Sequence, residues 1–264
     1  MSKVIVITSG KGGVGKTTST ANIGSALSQL GKKVVIIDAD IGLRNLDVVM
    51  GLENRIVFDI VDVIEGRCTY QKATIRDKRF ESLFLIPAAQ TRDKDAIKPE
   101  QMKQLCEDLQ KEYDYVLIDC PAGIENGFKN AVAGATDAIV VTTPEVSAVR
   151  DADRIIGLLE ASEVYNPQLI VNRIRPEMVK RGNMLNVEDM LDILRIDLLG
   201  IVPDDENIVI STNKGEPVIL ENKGLASQAY KNIARRLEGE KVEFVDMEVQ
   251  ESFFDRLKSL FSGK

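Results

Sequence analysis

Seven short runs of apolar, largely β-branched residues recur along the chain: VIVIT (4 to 8), VVIID (34 to 38), LFLIP (83 to 87), YVLID (115 to 119), AIVVTT (138 to 143), LIVN (169 to 172) and LGIVP (199 to 203). None alternates apolar with polar positions, so each is expected to be covered on both faces, as parallel strands between two helical layers are. Segments of helical period lie near 16 to 30, 99 to 111, 146 to 161, 187 to 195 and 224 to 238. Strand and helix in regular alternation predict an α/β fold, a doubly wound, mostly parallel sheet with helices on both faces. No internal repeat or low-complexity segment interrupts it.

The pattern changes after Leu237. Residues 238 to 251 read EGEKVEFVDMEVQE, six acids against one lysine, which predicts a solvated linker. Beyond it, 252 to 264 (SFFDRLKSLFSGK) places Phe253, Phe254, Leu257, Leu260 and Phe261 at offsets 0, 1, 4, 7 and 8. At helical pitch these fill an arc of about 120°, with Arg256 and Lys258 on its two flanks. The stripe predicts a C-terminal amphipathic helix lying on a membrane surface, its cationic stems reaching anionic headgroups. A helix docked on the protein's own core is the alternative. The expected organisation is therefore a catalytic domain over 1 to 237, the linker, and this helix.

Composition narrows the chemistry. Of 264 residues 44% are hydrophobic and 28% charged, as in a soluble globular protein. A net charge of −7 argues against a broad nucleic-acid-binding face, so no nucleic acid partner is expected. Cys68, Cys106 and Cys120 are odd in number and far apart, which suggests free thiols rather than disulfides or a paired metal site. With no histidine, acid, base and metal chemistry fall to carboxylates, Lys, Ser and Thr. Only five apolar residues precede the first glycine, and no run approaches the ~20 of a membrane span. The expected location is the cytoplasm and the cytoplasmic face of the cell membrane.

Directly after the first strand stands Gly10-Lys11-Gly12-Gly13-Val14-Gly15-Lys16-Thr17, followed by Thr18. This GxxxxGK[ST] pattern arises by chance in a chain of this length roughly once in a hundred cases, and here it sits between a strand and a helix, the context that gives it mechanical meaning. Glycine backbone N–H groups can wrap a β-phosphate, Lys16 can reach the β- and γ-phosphates, and Thr17 can place its hydroxyl on Mg²⁺. Asp119 ends one strand like a Walker B acid. Asp38 and Asp40 end another, and their spacing of two would send both to one side of an extended chain.

The run KGGVGKTT resembles the deviant Walker A motif of the ParA/MinD family, and IDADIGLRNLDVVMG with DCPAGIE is similar to its MinD branch. The likeness extends through VNRIRP and GIVPDDE to the C-terminal helix, covering nearly the whole chain. It implies an ATPase that uses ATP and Mg²⁺, dimerises around ATP, binds membrane and recruits a division inhibitor such as MinC, with either an activator like MinE or a static polar anchor as the organising partner. By the same resemblance, Lys11 serves the phosphates of the partner subunit, Asp40 positions the attacking water, and Thr17, Asp38 and Asp119 surround Mg²⁺. Residues 119 to 125, ending at Glu125, would form a nucleotide-sensing switch, and Asn172, Arg173, Pro203 and Asp204 an adenine pocket. Glu145 and Asp151 would lie at the dimer interface, or else be first-turn acids of a helix favoured by its dipole. GLRNLD (42 to 47) is either a partner surface or a capped turn. The rival functions are a ParA-type DNA-segregation ATPase, a flagellar-number regulator, and an enzyme that activates a small substrate or carries iron–sulfur clusters.

Overall fold

The computed structural model describes residues 2–92, 96–221 and 224–247. In chain order it contains β1 (Lys3–Thr8), α1 (Lys16–Gln29), β2 (Val34–Asp38), α2 (Leu46–Val49), α3 (Ile60–Ile64), α4 (Tyr70–Ala73), β3 (Ile75–Arg76), β4 (Leu83–Ile86), α5 (Pro99–Leu109) and β5 (Tyr115–Asp119). There follow α6 (Asn126–Val132), β6 (Asp137–Thr142), α7 (Val146–Ala161), β7 (Gln168–Ile174), α8 (Pro176–Lys180), α9 (Val187–Leu194), β8 (Asp197–Pro203), α10 (Glu206–Asn213) and α11 (Leu225–Leu237). All seven strands expected from the apolar runs form. So do the five expected helices.

The strands make one eight-stranded sheet in the order β3-β4-β2-β5-β1-β6-β7-β8. Every pairing is parallel except that of β3 with β4. Period-two side-chain alternation divides the core between the two faces. Val4, Val6, Val116, Ile118 and Val140 join one cluster with residues of α5, α7 and α9. Ile5, Ile7, Leu117, Ile139 and Val141 join the other with residues of α1 and α11. Both faces bury apolar side chains, which is why the strand sequences read as unbroken apolar runs. The chain leaves β1 toward β2 on one side of the sheet and later fills β6, β7 and β8 on the other, so the carboxyl end of β1 lies at a topological switch point.

The two sheet edges are finished differently. At one, β3 is two residues long and held by Arg79, whose guanidinium pairs with the fully buried Asp77 at 2.7 Å and donates to the carbonyls of Met50 and Gly215. At the other, residues following α11 run beside β8. Arg236 donates to the carbonyls of Leu199, Val242 and Glu243 and stacks under the Phe244 ring. Val245 and Met247 pack against the cores on opposite faces of the sheet. The expected solvated linker is thus tied to the body as far as Met247, because its apolar positions find the sheet edge. The amphipathic stretch, with Phe253, Phe254, Arg256, Leu257, Lys258, Leu260 and Phe261, lies outside the described residues.

Candidate functional site

β1 stops at Thr8 and α1 begins at Lys16, leaving Ser9 to Gly15 as a loop over the helix N-terminus. Gly13 and Gly15 hold φ of +78° and +101°, backbone that L side chains rarely adopt. Close approach also requires glycine at two positions. A Cβ on Gly10 would meet the Asp151 carbonyl oxygen at 2.3 Å, and one on Gly15 would meet Asn172 Nδ2 at 2.2 Å. The loop is therefore wedged between α7 and the end of β7. Its exposed N–H groups and the first turn of α1 form a concave anion site.

Beside the loop the ends of β2 and β5 bring Asp38 and Asp119 into register. Both are 1% exposed. Burial pushes Asp119 upward from the usual carboxylate range, opposed by the Lys16 ammonium and by the hydroxyls of Thr17 and Thr20, the latter at 3.1 Å. Asp38 is pushed further up, first by burial and then by the charge of Asp119. Two carboxylates without enough positive charge between them form a hard-oxygen site suited to a divalent cation, and Thr17 adds a hydroxyl. Thr20 is a site residue that the sequence reading missed. Its signal was present: it stands three residues after Thr17 on the same helical face.

Asp38 and Asp40 do not share one side of an extended chain. β2 ends at Asp38, whose Oδ1 accepts from the Asp40 N–H at 3.0 Å while Oδ2 accepts from the Leu46 N–H at 3.3 Å. A carboxylate bonded to the N–H two residues on makes an Asx turn, which bends the backbone where the spacing rule assumed extension. Asp40 lies at a small pocket shared with Pro121, Ala122, Glu125 and Phe128, so the stretch 119 to 125 meets the β2 turn there.

Lys11 is exposed. Its Nζ lies 3.3 Å from Glu145 Oε2 and 3.3 Å from Ser147 Oγ. Glu145 is the N-cap residue of α7, and Asp151 falls in the second turn, where the dipole argument no longer applies. Asp151 instead meets Gly10 through its backbone. In GLRNLD, Asp47 is fully buried with Arg44 Nε 2.9 Å away, and burial raises its carboxyl despite that cation. Leu43 on the same turn is 62% exposed. The stretch thus combines an internally paired turn with an apolar surface position.

Across the loop, Asn172 is 2% exposed and donates from Nδ2 to the Val14 carbonyl at 2.7 Å. Its Oδ1 is buried without a partner. Arg173 adopts φ of +56°, at a register irregularity between β7 and β8. Such strain in a non-glycine residue concentrates at binding sites. The Asp204 N–H reaches the Ile174 carbonyl at 3.0 Å, and Asp204 Oδ2 accepts from Arg175 Nε at 2.6 Å. Arg173, Arg175, Asp204, Glu145 and Met178 line a cleft of about 690 Å³. Pro203, buried at the end of β8, backs the turn to Asp204.

The profile of the family described as "ParA: NUBPL iron-transfer P-loop NTPase" matches residues 1–238. The septum site-determining protein MinD of Synechocystis sp. is 58% identical over 265 residues, covering 100% of both chains. That of Bacillus subtilis is 58% identical, with 99% of this chain and 98% of the other covered. Among solved structures, the MinC:MinD cell division protein complex of Aquifex aeolicus superposes with a TM-score of 0.87 at 56% identity, covering 93% of this chain and 99% of that one. MinD of Pyrococcus horikoshii complexed with Mg-ADP has a TM-score of 0.81 at 30% identity, covering 90% and 96%.

Proposed function

The chain belongs to the ParA/MinD family of P-loop ATPases, in its septum-site-determining branch, and from that premise we propose a nucleotide-switched division-site regulator that binds MgATP, dimerises, attaches to membrane and recruits a MinC-like inhibitor. The observation that carries this reading is the convergence of Lys16, Thr17 and Thr20 on the buried Asp119–Asp38 pair beside the glycine loop.

Each residue has a task that its position supports. Loop N–H groups and Lys16 bind and orient the phosphates, because phosphoryl transfer is catalysed mainly by positioning and charge stabilisation. Thr17 and Asp119 would hold Mg²⁺, with Asp38 behind them, and the ion would neutralise phosphate charge. Asp40, at the mouth of the pocket leading to 122 to 125, holds the attacking water. Lys11 serves the partner subunit's phosphates, so a complete site exists only in the dimer. Arg173, Asp204 and Asn172 surround the base.

No helix among the described residues is long and apolar enough to cross a membrane. Attachment is assigned to the amphipathic residues 252 to 264. One such helix is a marginal anchor, whereas two on one dimer make the second insertion intramolecular and raise avidity about 10²- to 10⁴-fold. The family profile's description names iron transfer, but Cys106 and Cys120 are buried thiols pushed up to about 12, and no group of three candidate ligands occurs among the described residues. The deciding experiment is vesicle sedimentation with ATP, ADP or no nucleotide, using the full chain and a truncation before Ser252. ATP-dependent pelleting of the full chain alone is expected; equal pelleting in every state would remove the switch.

A further inference from the structure

After α11 the chain turns at Gly239, whose φ is +85°, and doubles back beside β8. Residues 241 to 247 form no strand there, so side chains rather than a backbone ladder fasten them. All three nitrogens of the Arg236 guanidinium are engaged. Nη1 donates to the Leu199 carbonyl of β8 at 3.0 Å, Nε to that of Val242 at 3.0 Å, and Nη2 to those of Val242 and Glu243 at 2.9 and 2.8 Å. Asn232, whose amide oxygen accepts from Gln228 at 2.8 Å, donates to the Glu243 carbonyl at 3.2 Å. Val245 then packs on one core and Met247 on the other, so the segment passes over the sheet edge. A planar fork of donors can bridge strand and segment at once, which the compact ammonium of a lysine cannot.

Four residues, 248 to 251, separate Met247 from Ser252. The five Cα steps between them reach at most about 18 Å. Without the clamp the tether would begin at Glu240 and hold twelve residues, 240 to 251, with a reach of about 45 Å. We propose that Arg236 is a positioning residue that shortens the tether of the membrane helix, and so sets the avidity of a dimer for the bilayer. This rests on the reading that residues 252 to 264 bind membrane. Once one helix of a dimer has inserted, the effective concentration of the second falls roughly as the −3/2 power of tether length. A tether of twelve residues in place of four therefore weakens the second insertion about fivefold.

Two variants of the full chain separate tether length from fold. One carries eight Gly and Ser residues inserted between Met247 and Glu248, which lengthens the tether and leaves the clamp intact. The other combines Arg236→Lys with Val245→Ser and Met247→Ser, which releases the segment without changing its charge. Release is read without lipid, as trypsin cleavage after Lys241 followed by mass spectrometry, and circular dichroism checks folding. Cleavage there should be at least about tenfold faster in the released variant and unchanged in the insertion variant. Affinity for phosphatidylcholine vesicles containing phosphatidylglycerol, measured with ATP, should fall about fivefold in both. Equal cleavage after Lys241 in the full chain and the released variant overturns the clamp. An insertion variant that binds vesicles as well as the full chain, or better, overturns the role of tether length. A full chain that does not pellet with ATP at all instead sinks the membrane reading, and the avidity half of the proposal with it, while trypsin still judges the clamp.

Discussion

The role proposed for Lys11 would make catalysis depend on assembly. In the single chain its ammonium rests on Glu145 and Ser147 of its own α7. Both partners of that ion pair are substantially exposed, and exposed pairs contribute about 0–1 kcal/mol. A cation delivered in trans to a transferring phosphoryl group can raise the rate about 10³- to 10⁵-fold. Release from Glu145 would thus be a small cost against the gain that the proposed trans role brings. Lys11→Ala should leave ADP affinity within about threefold yet cut phosphate release at least about a hundredfold. It should also remain a monomer with ATP in sedimentation. Turnover at the original rate would remove the shared site from the account.

At the level of elements, the sequence displayed the strands because a sheet covered on both faces needs unbroken apolar runs. Where fewer residues carry the pattern, it went unread. β3 is two residues long, and α2, α3 and α4 span one turn or little more, too short for helical periodicity to show. Their placement depends on distant contacts. The Asp77–Arg79 pair joins the β3–β4 edge to the turns at Met50 and Gly215. The same holds in the site: phosphate loop and strand-end acids were legible as motifs, whereas the Val14–Asn172 bond and the φ of Arg173 follow from packing between segments far apart in sequence. Removing one partner of a buried pair leaves the other charge stranded, at a cost of about 3–5 kcal/mol. Arg79→Ala should therefore lower unfolding free energy by about 3 kcal/mol in urea titration, and a change below about 1 kcal/mol would show the hub to be dispensable.

The whole molecule shows a division between its two ends. Nucleotide chemistry occupies the carboxyl ends of the strands, while at the opposite end Glu238 joins the amino end of the sheet to α11. Burial alone would raise its carboxyl, but the ammonium of Lys32 at 2.5 Å and the hydroxyl of Tyr115 at 2.6 Å more than offset this and hold it below the ordinary value. A carboxylate depressed on folding stabilises the native state above its unfolded pKa, near 4.5, and that contribution is lost as pH falls through the lower folded value. Glu238→Gln should cost about 1–2 kcal/mol at pH 7. The difference from the original chain should close as acid is added below the ordinary carboxylate range. A gap of constant size across the acid limb, in thermal melts taken at stepped pH, would contradict the ionic origin.

The two finished edges constrain how copies of this protein can meet. One side of the sheet ends in a two-residue antiparallel strand, and the other is crossed by the chain that follows α11 and fastened by Arg236. A very short edge strand and a covering chain segment are two of the devices that blunt a sheet edge, and they oppose lateral pairing between copies by strand addition. Under the proposed function, self-association would then fall to the phosphate-loop face, its extent governed by nucleotide as well as by concentration.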